Sequence, residues 1–126
     1  EKAVLIGASR IGHGIHAIDD EKVLSLIKEK NILLEICPTS NVQTNAIDVY
    51  PNHPIKKLYQ QGVSLNINTD NRTVSHISLT NEYTKLYETF SFSLLDFQKM
   101  NENAILHSFL SNEEKKELLK KLKNYI

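Results

Sequence analysis

The 126 residues are 40% hydrophobic and 24% charged with a formal net charge of zero, which excludes a disordered tail and argues against a nucleic-acid partner. No run of about 18 apolar residues occurs and Glu1-Lys2-Ala3 is no signal-peptide start, so no membrane partner is expected and the location read from sequence is cytoplasmic. A single cysteine, Cys37, permits neither an internal disulfide nor a zinc-finger spacing, and reads as a small buried apolar residue.

The first element predicted with a chemical feature is a short strand at Arg10-Ile11, running into Gly12-His13-Gly14. Val23, Leu24 and Ile27 then recur at helical spacing. Ile32 to Cys37 is a mostly apolar run stopped by Pro38, and reads as a strand. Ile55, Leu58 and Tyr59 form the next helical period. Val63 to Asn68 alternates with period two before Thr69-Asp70, the signature of another strand. Tyr83, Leu86, Tyr87 and Phe90 mark a third helix. Ser93-x-x-Asp96 and Ser111-x-x-Glu114 are helix-start signals ahead of the Leu94 to Phe109 and Leu118 to Tyr125 segments. The lysines from Lys115 to Lys123 alternate with Leu118, Leu119 and Leu122, as a solvated helix face over a packed one does. No linker or repeat divides the chain, so it reads as one α/β unit with about three parallel strands followed by several helices.

Polar residues gather just past the strand ends, at Gly12-His13-Gly14, Cys37-Pro38-Thr39-Ser40-Asn41 and Asn68-Thr69-Asp70-Asn71. That edge is where parallel α/β folds carry chemistry. Between two glycines, His13 has room to face a ligand, although a histidine beside a strand is as readily a hydrogen-bonded core or surface group. Asp70 needs a cation or donors if it is buried, which a metal, an arginine or a helix cap would each satisfy. Asn71 offers a donor and an acceptor, suited to a heterocycle edge or to a turn. Ser40 and Asn41 read as structural loop residues. His16, His53, His76 and His107 show no partner in sequence, and His107 reads as a packed histidine of its helix.

Taken together, Arg10-Ile-Gly-His-Gly, Glu35-Ile-Cys-Pro-Thr-Ser-Asn and Asn68-Thr-Asp-Asn-Arg72 resemble, in order and spacing, the last strand ends of adenosine deaminases. The likeness continues through Leu79-Thr80-Asn81-Glu82-Tyr83, the Asn101 to Phe109 helix and the closing Leu110 to Leu119 segment. The resemblance implies the C-terminal part of a (β/α)8 TIM barrel with one zinc ion (Zn), which converts a purine nucleoside, adenosine, to inosine and ammonia. It places His13 as the histidine that hydrogen-bonds the zinc-activated water, orienting it and helping take its proton, Asp70 as a zinc ligand, and Asn71 where many members carry a second aspartate that bonds a purine ring nitrogen. The family's His-x-His pair and His-Ala-Gly-Glu strand end have no counterpart here. Glu1 falls inside the helix after the fifth barrel strand, so residues 1–126 read as a single partial domain, a fragment inactive alone. Such a fragment is ordered only with its N-terminal part or by self-association. Relatives acting on adenine or AMP are the alternative within the enzyme class, and a non-catalytic α/β interaction module is the alternative outside it.

Overall fold

The computed structural model describes residues 1–124. Three short strands, β1 (Arg10–Gly12), β2 (Leu33–Ile36) and β3 (Leu65–Ile67), form a parallel sheet in the order β1-β2-β3. Leu34 is the pivot of the register, facing Ile11 on one side and Leu65 on the other. Leu33, Leu34 and Ile36 are fully buried, which is why the central strand is an almost unbroken apolar run rather than an alternating one.

A helix follows each strand, as parallel pairing requires of its crossovers. After β1 come a 3₁₀ turn (Ile15–Asp19) and α2 (Glu21–Glu29); α1 (Lys2–Leu5) precedes the strand. The Asp20 side chain caps α2 by accepting from the Lys22 and Val23 amides at 2.9 and 3.2 Å. Next to β1, Gly14 adopts φ +66°, and a Cβ there would meet Leu34 Cδ2 at 2.9 Å. Both the backbone turn and the close packing on the central strand therefore need glycine at this position.

Beyond β2 the chain goes directly into α3 (Pro38–Gln43), with Pro38 at its start, then a 3₁₀ turn (Tyr50–Asn52) and α4 (Ile55–Gln60). The stretch read from sequence as a strand-end loop is thus helical from Pro38: proline lacks the amide hydrogen that a first helical residue leaves unused, and its φ already suits a helix. Beyond β3 lie α5 (Arg72–Ser75), α6 (Leu79–Phe90), α7 (Leu94–Leu106) and α8 (Asn112–Lys123). Capping boxes open the last three, from Ser78, Ser93 and Ser111 to Asn81, Asp96 and Glu114.

Helix α7 stops three residues short of the expected Phe109. His107 Nδ1 reaches the Asn103 carbonyl at 3.0 Å and Ser108 Oγ donates to Ile105 O at 2.7 Å. The Ser108 hydroxyl and the Ser108 amide thereby share the Ile105 carbonyl, which a further turn would have bonded to the Phe109 amide, while the Asn103 carbonyl also takes the His107 amide. His107 is no packed apolar-face residue: its Nε2 also lies 2.9 Å from the Asn31 carbonyl, tying the end of α7 to the turn between α2 and β2. Tyr125, expected to end α8, lies outside the described residues.

One apolar cluster runs from Val4 through the strands to Met100. Phe92, fully buried between α6 and α7, meets Tyr59 edge-on at 5.4 Å and Phe97 at 6.0 Å. Asn103 donates to the Leu65 carbonyl at 3.1 Å, seating α7 on β3. No helix among the described residues is long and apolar enough to cross a membrane.

Candidate active site

His13 and Asp70 each follow a strand end, and both backbones are left-handed, with φ of 59° and 57°. That region is sparsely populated by residues other than glycine, and holding one there costs about 1 to 3 kcal/mol, so such residues persist where surrounding structure fixes them. The His13 amide donates to the Glu35 carbonyl at 2.9 Å, extending the β1–β2 ladder by one step. Beside it, Glu35 pairs with Arg10. The turns aim the two side chains at each other across the top of β2, leaving His13 Nε2 3.9 Å from Asp70 Oδ2. This is beyond hydrogen-bond reach. Both side chains are nearly half exposed, at 45% and 46%.

Helix α3 fills the space between them. Ser40 Oγ donates to Asp70 Oδ2 at 2.7 Å, and Asn41 Nδ2 lies 3.0 Å from His13 Nδ1. Asn41 Oδ1 in turn lies 3.0 Å from His53 Nε2, and the Ile55 amide donates to His53 Nδ1 at 3.1 Å. Ser40, Asn41 and His53 are all buried. The reading of Ser40 and Asn41 as loop residues is therefore corrected: each holds one of the two strand-end side chains from a helix. His53, which shows no partner in sequence, stands directly behind Asn41. Burial holds the His53 imidazole down at about 4, keeping it neutral.

The start of α3 is fixed from a second direction. Glu82 on α6 is fully buried and accepts from the Thr39 amide at 3.2 Å and from the Tyr50 hydroxyl at 3.0 Å. Burial, then the Glu82 charge, pushes the Tyr50 phenol far up, so it stays a donor. Lys85 adds a bond from Nζ to Thr39 Oγ1 at 3.0 Å. Sequence reading passed over Glu82, although a charge four residues before Leu86 on an apolar helix face was a usable signal.

The remaining residues singled out in sequence do not bond to the His13 or Asp70 side chains in the contacts of the described residues. Asn71 is exposed and its Oδ1 accepts from the Val74 amide at 3.0 Å, capping α5. His16 meets Asp19 on the surface at 3.0 Å, and His76 ends α5 with φ 46°. Cys37 is buried as expected, and burial, then the Asp70 charge, pushes its thiol up to about 11, so it is inert.

The cleft bounded by His13, Ser40, Asn41 and Asp70, with Ile11 and Ile15 on its apolar side, encloses about 530 Å³. That is room for a small molecule. Asp70 Oδ2 is engaged by Ser40 while Oδ1 accepts from no protein donor among the described residues. A carboxylate with one oxygen fixed and one open suits a cation, but among the described residues no three His, Cys, Asp or Glu side chains converge as a metal site would require. The chain thus fits as the source of part of a ligand set.

The sequence model of adenosine deaminase matches residues 2–125. The adenosine deaminase of Shewanella woodyi is 50% identical over 92% of this chain and 35% of its own length, and that of Clostridium perfringens is 43% identical over 90% and 34%. The chain spans about a third of the length of these relatives. Among solved structures, an adenine deaminase from Arthrobacter aurescens superposes with a TM-score of 0.93 at 26% identity, over 99% of this chain and 38% of that one. An amidohydrolase from Burkhoderia ambifaria with bound zinc superposes at 0.88 with 21% identity, over 99% and 35%. The parallel sheet and its helices are accordingly the C-terminal part of a (β/α)8 barrel, with the cleft at the C-terminal ends of the strands where barrels of this kind carry their sites. With nearly every residue matched and relatives at up to 50% identity, this chain belongs to the adenosine deaminase family.

Proposed function

We propose that the intact protein containing this chain hydrolyses adenosine to inosine and ammonia at a single zinc site, to which Asp70 contributes one ligand through its open Oδ1. The observation that carries this reading is the meeting of His13 and Asp70 in one cleft, each turned there by a left-handed residue at a strand end. Zinc, when bound, supplies a water acidic enough to attack a purine carbon near neutral pH. The chain's own residues do the rest of what falls to them. Ser40 keeps the Asp70 carboxylate in one orientation, and His13 orients the attacking water from the side of Nε2. Asn71, its oxygen occupied by the Val74 amide, keeps its Nδ2 hydrogens for a purine ring nitrogen.

Catalytic zinc takes about three protein ligands and an open position. Asp70 is one, so the remaining ligands come from a portion of the barrel outside these residues. By themselves the 126 residues are expected to turn over no adenosine, to hold no zinc tightly, and to associate with copies of themselves or with that portion. The outer edges of β1 and β3 support this, since each strand pairs on one side only among the described residues.

Steady-state kinetics of the intact protein on adenosine, adenine and AMP, with zinc quantified per chain, test the proposal. Adenosine should be preferred, with close to one zinc per active site. The curated relatives are adenosine deaminases, whereas the Arthrobacter aurescens structure is an adenine deaminase. Preference for adenine or AMP would therefore move the substrate assignment within the family, and a zinc-free active protein would end the metal assignment.

A further inference from the structure

We infer that the buried chain of hydrogen bonds from the Ile55 amide through His53 and Asn41 fixes the proton of neutral His13 on Nε2, making His53 and Asn41 positioning residues that set His13 as a hydrogen-bond donor toward the Asp70 side of the cleft. The part His13 plays in the reaction rests on the proposed function. The proton's location rests on geometry alone.

The polarity of the chain starts from a group with no choice. A backbone N–H can only donate, and the Ile55 amide donates to His53 Nδ1 at 3.1 Å. That nitrogen must therefore present its lone pair. A neutral imidazole has a single N–H, so the proton of His53 is on Nε2. His53 is 3% exposed, and the burial that holds its basicity down keeps the ring neutral.

The same logic then passes to Asn41, whose side-chain oxygen lies 3.0 Å from His53 Nε2. An amide has one accepting end and one donating end, so with the oxygen committed to His53 the NH₂ group faces His13 Nδ1, at 3.0 Å. Turning the Asn41 amide over would press its NH₂ against the His53 N–H inside a buried site, where neither finds water. His13 Nδ1 is consequently an acceptor, and the proton of the neutral ring sits on Nε2, the nitrogen 3.9 Å from Asp70 Oδ2. Asp70 Oδ2 is itself held by the Ser40 hydroxyl at 2.7 Å, so α3 fixes both partners. One residue reads the tautomer and its neighbour reads the carboxylate.

The functional consequence is directional. With Nε2 already protonated, resting His13 orients a water or hydroxide by donating to its oxygen, and cannot take a proton from it at that nitrogen until its own has left. The group that accepts the proton from the attacking water must then be another one.

Ring ¹⁵N–¹H correlation spectra of the intact protein, labelled with ¹⁵N-histidine and recorded at about pH 8, above the ordinary histidine range, test this directly. Loss of signals in His13→Asn and His53→Gln assigns the two rings. In the unaltered protein both should show the Nε2–H form. Asn41→Asp replaces the donating NH₂ with an acceptor, and should put a proton on His13 Nδ1 while His53 stays as it is. His53→Gln retains an acceptor for the Ile55 amide and a donor for Asn41, and should leave His13 unchanged; His53→Leu, which retains neither, should give a mixture of His13 forms. A purely structural role would lower stability in these variants without moving the His13 proton. The Nδ1–H form of His13 in the unaltered protein would overturn the inference, and that spectrum needs no variant to fold. So would an unmoved proton in folded Asn41→Asp. A protein with the expected spectrum but no deaminase activity on any purine would refute the proposed function and leave the relay standing.

Discussion

At the strand ends, Asn41 reaches His13 across 28 positions of chain and Ser40 reaches Asp70 across 30. In the C-terminal layer, α6, α7 and α8 each start at a serine whose capping partner lies three residues on. The first kind of bond exists only once the sheet has formed and α3 has docked over it. The second is available to the isolated segment. Damage to the helical layer should therefore register as lost stability, and damage to the strand-end cluster as lost chemistry with the fold largely kept.

The largest expected effect tests the chemical half of that comparison. In the intact protein, Asp70→Ala should abolish zinc occupancy and with it turnover, whereas His13→Ala should keep the metal and slow turnover by roughly 10²- to 10³-fold, the cost of losing one positioned hydrogen-bond donor. Metal analysis of the two purified variants separates the roles, and the assignment fails if His13→Ala is the one that loses zinc. Both side chains are nearly half exposed, so neither change opens a core cavity, and the thermal midpoint of the zinc-free protein should move little.

The structural half is tested at Phe92. Fully buried against Tyr59 and Phe97, it should cost about 3 to 5 kcal/mol when replaced by alanine. The denaturant midpoint should fall accordingly, while turnover per folded molecule stays within a few-fold. A Phe92→Ala protein of ordinary stability and poor turnover would mean that the helical layer shapes the cleft after all.

How much of each region was legible in the sequence follows the same division. The strands at Arg10, Leu33 and Leu65 were readable because period-two and apolar runs are local patterns, and the caps at Ser93 and Ser111 because a serine and an acid three residues apart are adjacent on the chain. His13 and Asp70 stood out by their neighbours, glycines on one side and polar residues at a strand end on the other. Ser40, Asn41 and His53 did not. Nothing local distinguishes a serine that orients a carboxylate from one that decorates a loop; what differs is the partner, brought in from another strand end. Pro38 was the one clue, since a proline followed by five residues free of glycine can open a helix as well as close a strand.

His53 lies between the two regimes, since its loss would touch both stability and chemistry, and its titration gives the next effect in size. Folded, its imidazole is held from an ordinary 6.5 down to about 4 by burial, so the unfolded chain binds a proton there at pH values where the folded chain does not. The sign follows: the contribution is fully present above about pH 6.5 and is lost as pH falls from there to about 4. Its size is about 3 kcal/mol across that window. Urea midpoints of the intact protein from pH 7 to 4, set against those of His53→Gln, should converge by that amount as pH falls. Parallel curves would show that His53 takes up its proton in the folded state without penalty, and would remove burial as the reason it stays neutral.

The smallest effect is the one most confined to a single segment. Ser93 Oγ accepts from the Asp96 amide at 3.2 Å and donates to Asp96 Oδ2 at 2.7 Å, and Asp96 Oδ2 accepts from the Ser93 amide at 2.7 Å, so the box satisfies amides at the start of α7 that have no partner within the helix. Those bonds, led by the Ser93 amide, hold the Asp96 carboxyl below its usual range. Ser93→Ala should cost about 1 kcal/mol, the ordinary value of an N-cap serine, and Ser93→Thr, which keeps the hydroxyl that both accepts from the Asp96 amide and donates to its carboxylate, should recover most of it. Because α7 also seats on β3 through Asn103 and Leu65, a cap that mattered to the cleft would act through that contact. Measured on the intact protein, the alanine variant should shift the unfolding midpoint and leave zinc occupancy and the His13 ring spectrum unaltered. A change in either of the last two would mean that the start of α7 and the strand-end cluster form one cooperative unit, and that local capping here is read out at the site.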